Sequence, residues 1–296
     1  MFFEVTAASH VGLVRNVQQD AIAVSGWTSQ DPGGSLRSLR TSDEWPTVAL
    51  ADGLGGHVAG ELASRVAVEI VTEPGADQPL ADRIAVAHSR VKEEADRTGN
   101  ASMGTTLVAI GLRPDGIQIA NVGDSRIYET TSSLFELSVD DSPARPDGVE
   151  TSVVTQAIGI GGEVFPHLDL LPVETGIQFL LCSDGLTRFV PEEKIAEAIE
   201  AGVDPAGRVK RLIEAALDAG APDNVSVALV DVVAEVEEQP QATALQQALE
   251  GPEASAALEL PVAEAPEAPA AAEAPEVPEA PGLEAATQEN NGQDVG

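Results

Sequence analysis

The residues best suited to chemistry are aspartates placed at the ends of short apolar runs. Asp52-Gly53 follows Val48-Ala-Leu-Ala, Asp184-Gly185 follows Phe179-Leu-Leu-Cys-Ser, and Asp223-Asn224 precedes Val225 to Val233. Asp124 follows Ile119-Ala-Asn-Val-Gly, and Asp20 precedes Ala21 to Val24. Any one of them also reads as a turn residue, because Asp-Gly and Asp-Asn pairs favour tight turns. Five carboxylates at one kind of position weaken that reading. If they converge they repel one another unless cations neutralise them, and ligands that are all oxygen select hard ions such as Mg2+ or Mn2+. The expected chemistry is a two-metal hydrolytic centre.

A second spacing competes with this one. Cys182-Ser-Asp-Gly-Leu-Thr-Arg188 satisfies the Cys-x5-Arg pattern of cysteine-dependent phosphatases. Such a loop has to present free backbone N–H groups and a low-pKa thiolate to a dianion, and Asp184 in its middle opposes both. Cys182 is therefore expected to be a small apolar core residue at a strand end.

The elements that must position these groups follow from the apolar pattern. Val48 to Ala51, Thr105 to Leu112, Gly116 to Val122, Ile177 to Cys182 and Val225 to Val233 are short β-rich runs bounded by Gly, Asp or Pro, and read as strands. Gly60 to Val71, Leu80 to Arg97, Ile195 to Ile199 and Val209 to Leu217 carry apolar residues at helical spacing. Neighbouring strands join through turns such as Arg113-Pro-Asp-Gly rather than through regular βα alternation. That favours an α+β sandwich over a doubly wound parallel sheet. Ser25 to Trp45 and Asp140 to Glu150 read as long loops.

Composition bounds the partners. The chain has 16 basic and 49 acidic residues in 296, a formal charge of −33 that repels nucleic acid and anionic membranes and attracts divalent cations. Its single cysteine excludes an internal disulfide, no leader-like start is apparent, and no run reaches the roughly 18 apolar residues of a membrane helix, so a cytoplasmic protein is expected. Residues 235 to 296 carry 14 acidic residues, no Lys or Arg, and an Ala/Glu/Pro composition that cannot offset its ordering entropy by burial. The expected organisation is a catalytic domain over 1 to 234 and a solvated acidic tail over 235 to 296. The alternative for that tail is a docking segment whose partner the residues do not name.

Six segments read in order carry a resemblance. Gly12-Leu-Val-Arg-Asn-Val-Gln-Gln-Asp20, Ala51-Asp-Gly-Leu-Gly-Gly-His-Val-Ala-Gly-Glu61, Met103-Gly-Thr-Thr-Leu107, Asn121-Val-Gly-Asp-Ser-Arg126, Leu181-Cys-Ser-Asp-Gly-Leu186 and Pro222-Asp-Asn-Val-Ser-Val227 resemble the successive motifs of bacterial protein phosphatase 2C enzymes. The resemblance implies a four-layer α+β fold, two antiparallel sheets flanked by helices, with the metals at one end of the sheets. It makes Asp52 the bridge between two divalent cations, Mn2+ or Mg2+, with the Gly53 carbonyl, Asp184 and Asp223 as further ligands. Asp20 is expected to hold water from outside the ligand shell, Asp124 to hold a weaker third ion, and Arg15 to grip the substrate phosphate through its planar fork. The implied reaction is hydrolysis of phosphoserine and phosphothreonine on proteins by a water activated between the cations, in opposition to Ser/Thr kinases.

The chain also departs from the family pattern. Gln18-Gln19 changes the hydrogen bonding around Asp20, the segment Asp140 to Gly159 is short where relatives carry a longer helical flap, and Leu54 occupies the position of the family's best-known candidate acid, a histidine. His57 is the histidine nearby, placed to act on a proton or to start a helix. Two other classes of function stand beside the enzyme: a silent phosphoprotein-binding module, and a scaffold whose acidic tail is the working part.

Overall fold

The two-residue period of the strands sets the layering. In β5 (Thr47–Leu54), Val48 and Leu50 enter one core while Ala49 and Ala51 enter another. In β12 (Gln178–Cys182), Phe179 and Leu181 face that first core, and Leu180 and Cys182 face a third. The middle core lies between two sheets, and each outer core lies between one sheet and a pair of helices. The computed structural model describes residues 1–41, 43–143 and 153–234, with the side chain of His57 also outside the described set. The acidic tail, and residues 144–152 of the segment expected as a shortened flap, lie outside the described residues.

One sheet has the order β10 (Phe135–Glu136), β9 (Arg126–Glu129), β12, β13 (Val225–Val233), β1 (Phe2–His10), β4 (Arg37–Arg40). The other runs β11 (His167–Leu171), β8 (Gly116–Val122), β7 (Leu107–Arg113), β5, β2 (Asp20–Val24), β3 (Trp27–Ser29), with the two-residue β6 (Gly104–Thr105) pairing to β5. All of these pairings are antiparallel. Helices α1 (His57–Val71) and α2 (Leu80–Thr98) cover the second sheet, and α4 (Glu192–Ala201) and α5 (Pro205–Asp218) cover the first. The one-turn α3 (Asp184–Thr187) follows β12.

The expected strands and helices are all present, and the expected four-layer α+β architecture is the one observed. Three of the differences are instructive. The segment expected as a loop from Ser25 to Trp45 contains β3 and β4, the latter an edge strand whose Leu39 pairs with Val5 and whose Arg40 lies 3.7 Å from the ring centre of Phe2. Its sequence Arg37-Ser-Leu-Arg40, with one apolar residue among three exposed polar ones, suits a solvent-facing edge and hides the strand from an apolar count. Strand β1 was not expected because Thr6, Ala7, Ala8 and Ser9 break the apolar pattern; it is a central strand buried on both faces, where alternation is not required. Helix α1 starts at His57, three residues before the first expected position, Gly60.

That early start brings α1 against the end of β5. A Cβ on Gly53 would lie 2.2 Å from the Gly60 carbonyl oxygen and 2.7 Å from that of Gln19, so backbone from the helix and from the β1–β2 loop closes on this residue. Overpacking against backbone cannot be relieved by a rotamer change. Gly53→Ala is expected to destabilise the fold by about 3 kcal/mol, read as a lower denaturation midpoint at unchanged denaturant dependence, whereas Gly162→Ala, in open space and without a left-handed backbone, should leave the midpoint nearly in place.

Candidate metal centre

Each expected carboxylate is delivered by the end of a strand. Asp20, the first residue of β2, pairs in register with Asp52 of β5. Like charges directly opposite on antiparallel strands destabilise the pair. From the other sheet come Asp184, which opens α3 just after β12, and Asp223, just before β13. Asp124 lies in the turn between β8 and β9. Asp20, Asp52, Asp124, Asp184 and Asp223 are mutually close enough for the charge of one or more of the others to oppose ionisation of Asp20, Asp52 and Asp124.

Burial is the larger cause of those shifts. Asp20, with no solvent exposure, is pushed up to about 7 by burial and then by the charges of Asp184 and Asp223, against the pull of the Ser226 and Ser183 hydroxyls. Asp124 is likewise raised to about 7, by burial first and then by Asp184 and Asp140. Asp52 keeps a little surface in solvent yet is enclosed by protein, and it is raised well above the usual carboxylate range, by burial first and next by Asp20. Such a cluster is stable only if protons or cations balance it.

A web of small polar groups aims these side chains, and most of it was not assigned from sequence. The Ser183 hydroxyl donates to Asp20 Oδ2 at 2.8 Å, linking the two sheets. The Ser226 N–H donates to the Ser183 hydroxyl at 3.0 Å. The carbonyl of Asp52 accepts from the Thr105 hydroxyl at 2.7 Å and from the Thr106 N–H at 2.8 Å, while its N–H donates to the Thr106 hydroxyl at 3.0 Å. Asn224 receives the Gln19 N–H at 2.8 Å and donates to the carbonyls of Val11 and Val17, fixing the loop that carries Arg15. Asp141 accepts from Gly123 N–H and from Gln156, and its carbonyl accepts from Thr155 N–H, so both described ends of the segment expected as a short flap are tied beside Asp124.

Two arginines stand among the carboxylates. Arg15 donates Nη2 to Asp223 Oδ2 at 2.8 Å and is half exposed. Arg188 donates Nη1 to Asp184 Oδ2 at 2.8 Å. Among the described residues no three His, Cys, Asp or Glu side chains converge closely enough to ligate one ion as they stand. The donor set nonetheless fits a hard cation: Asp20 Oδ1 and Asp184 Oδ1 are buried carboxylate oxygens with no hydrogen-bond partner, a costly condition that an oxygen-seeking cation, or water held by one, relieves. The Cys-x5-Arg spacing does not form an anion loop. Cys182 is fully buried, its thiol pushed up to about 12 by burial, and Asp184 and Arg188 are paired with each other. His57 opens α1, and its side chain lies outside the described residues.

A double antiparallel sandwich, helices on both faces and acids gathered where the two sheets meet, defines the class of α+β protein to which comparisons can be made. A family model described as protein phosphatase 2C matches residues 19–219. This chain belongs to the protein phosphatase 2C family. It is 35% identical over 211 residues to the serine/threonine protein phosphatase PstP of Mycobacterium tuberculosis, a match covering 63% of this chain and 40% of that protein, so it spans less than half of that relative's length. It is 30% identical over 232 residues to the serine/threonine phosphatase stp of Listeria innocua, covering 69% of this chain and 90% of that one. Among solved structures, the M. tuberculosis phosphatase PstP/Ppp superposes with a TM-score of 0.65 at 30% identity, over 79% of this chain and all of that one. The catalytic domain of PstP in complex with two manganese ions gives 0.62 at 30% identity, over 79% and 99%.

The raised carboxylates make the metal-free fold sensitive to pH with a definite sign. A carboxyl whose folded pKa exceeds its unfolded value of about 3.9 holds its proton better when folded, so its contribution is full below that value and is lost as pH rises through about 7. In chelator the melting temperature should therefore fall between pH 5 and 7.5, and Asp20→Asn, which removes one of these titrations, should flatten the fall. Added Mn2+ should raise the melting temperature most at the upper end of that range.

Proposed function

We propose that this chain hydrolyses phosphoserine and phosphothreonine on proteins, with Asp52, the Gly53 carbonyl, Asp184 and Asp223 holding two divalent cations, Mn2+ or Mg2+. The observation that carries the reading is the pair of buried, unpartnered carboxylate oxygens, on Asp20 and Asp184, beside the opposed Asp20 and Asp52. Cations bound there supply positive charge to the phosphoryl oxygens and activate water for attack on phosphorus, which needs no enzyme nucleophile. PstP, a relative with the same fold, has been solved with two manganese ions.

The chain's own residues have separate tasks in this reading. Asp52 is anchored at both its N–H and its carbonyl by Thr105 and Thr106, so its carboxylate has a fixed origin at the strand end. Asp20, its cross-strand partner, is held by Ser183 and would hold water for the cations from outside their ligand shell. Arg15 is placed on a loop pinned by Asn224, and its guanidinium has further donors beyond the one given to Asp223, suited to two phosphate oxygens at once. Cys182 contributes packing alone. In this reading residues 1 to 234 form the catalytic domain, the acidic tail is a separate segment, and the cellular role is to oppose Ser/Thr kinases.

Hydrolysis of a phosphothreonine peptide, followed with Mn2+ and then with excess chelator, tests the proposal. Activity should appear with metal and vanish with chelator. Asp52→Asn should lose more than about 100-fold, beyond what loss of a group outside the ligand shell costs, while remaining folded; Cys182→Ser should keep turnover. Arg15→Ala should raise KM and shift the unfolding free energy by less than about 1 kcal/mol, since its ion pair is exposed. Turnover that persists in chelator and disappears in Cys182→Ser would overturn the metal reading.

A further inference from the structure

Arg188 has no task in the reaction described above, yet it stands inside the acid cluster. It follows the single turn of α3, one helical turn after Asp184, and its Nη1 lies 2.8 Å from Asp184 Oδ2. The side chains are 24% and 10% exposed, so the pair is largely withdrawn from solvent. Burial works against the guanidinium charge but is outweighed, first by the bond to Asp184 and then by the charges of Asp184, Asp124 and Asp223. Asp124 is near enough for its charge to attract the same guanidinium. Asp124 is the carboxylate expected to hold a third, weaker ion. A fixed positive charge bonded to Asp184 therefore already faces Asp124, the carboxylate to which that ion was assigned.

We propose that the Arg188 guanidinium takes the place of the third cation, so that this chain binds two divalent ions where Asp124 alone would suggest three. The inference rests on the two-cation reading above. A guanidinium is always charged, is weakly hydrated and pairs well with a carboxylate, so it remains in place where a loosely held ion exchanges with solvent. A third dication would have to displace it from Asp184 or lie against a like charge. Asp184 Oδ1, the buried oxygen that Arg188 does not touch, remains free for one of the two principal ions.

Counting ions tests this without recourse to activity. Mn2+ bound per full-length chain is measured by equilibrium dialysis and elemental analysis at millimolar metal, and the acidic tail adds the same background to every variant. Arg188→Met, which keeps the aliphatic stem, should bind one more Mn2+ than the parent; Arg188→Lys, which keeps the charge, should bind the parental number. Asp124→Asn placed on Arg188→Met should remove the extra ion. Where Arg188→Met is poorly folded by circular dichroism, Arg188→Gln carries the same expectation. Equal counts in the parent and the charge-removing variant overturn the inference. Asp52→Asn separates that outcome from failure of the underlying reading: it should lose the principal ions, and if it loses none, the two-cation centre itself falls.

Discussion

Repulsion among buried carboxylates is the constraint on which this structure turns. Asp20 and Asp52 face each other across β2 and β5, and Asp184 and Asp223 approach them from the other sheet. A fold selected for stability alone has no use for such an arrangement, because burying one uncompensated charge already costs several kcal/mol. The protein meets part of the cost with arginines on Asp184 and Asp223 and with a hydroxyl on Asp20, and leaves two buried oxygens unserved. Those residual charges are what make cation binding and folding a single linked equilibrium in the proposed function.

Holding the acids in opposition requires a frame that cannot relax, and the surroundings are built accordingly. Thr105 and Thr106 brace the backbone of Asp52, and the Thr106 hydroxyl lies 2.7 Å from that of Ser125, the neighbour of Asp124. Gly53 is pressed between the start of α1 and the β1–β2 loop. Gly12, at φ +83, lies so near the Asp223 carbonyl that no side chain fits, which brings the loop carrying Arg15 against the residues that lead into β13. The centre is thus fixed mainly through backbone and short hydroxyl side chains, which have few ways to move.

Much of this was legible in the sequence, and the reasons for the remainder are physical. The five aspartates were visible because a charged residue at the end of an apolar run is an uncommon place to leave it, and the structure sets each at the strand end or turn expected. The middle strands were visible through their β-branched runs. Strands β1 and β4 were not: one is rich in Ala, Ser and Thr because both its faces are tightly packed, and the other is an edge whose exposed arginines mimic a loop. Ser183, Thr105, Thr106 and Asn224 lay within the quoted motifs, but a serine or threonine has no pattern that reveals which distant carboxylate or carbonyl it will meet. Arg188 was noticed for its spacing from Cys182, whereas its partner is Asp184, four residues away on the same turn.

The bond from Ser183 to Asp20 joins residues from nearly opposite ends of the described fold and from different sheets. Its consequence appears during synthesis. A ribosome that has delivered β2 and β5 has produced Asp20 and Asp52 with no opposing half, and Asp223 emerges only as the central strand β13 is about to follow. Closing contacts between such distant segments is the slow part of folding, because the loop entropy must be overcome before any pairing is gained. A half-made chain therefore holds scattered aspartates and no centre. Whatever chemistry the finished molecule performs, it begins only once β13 has paired with both β1 and β12.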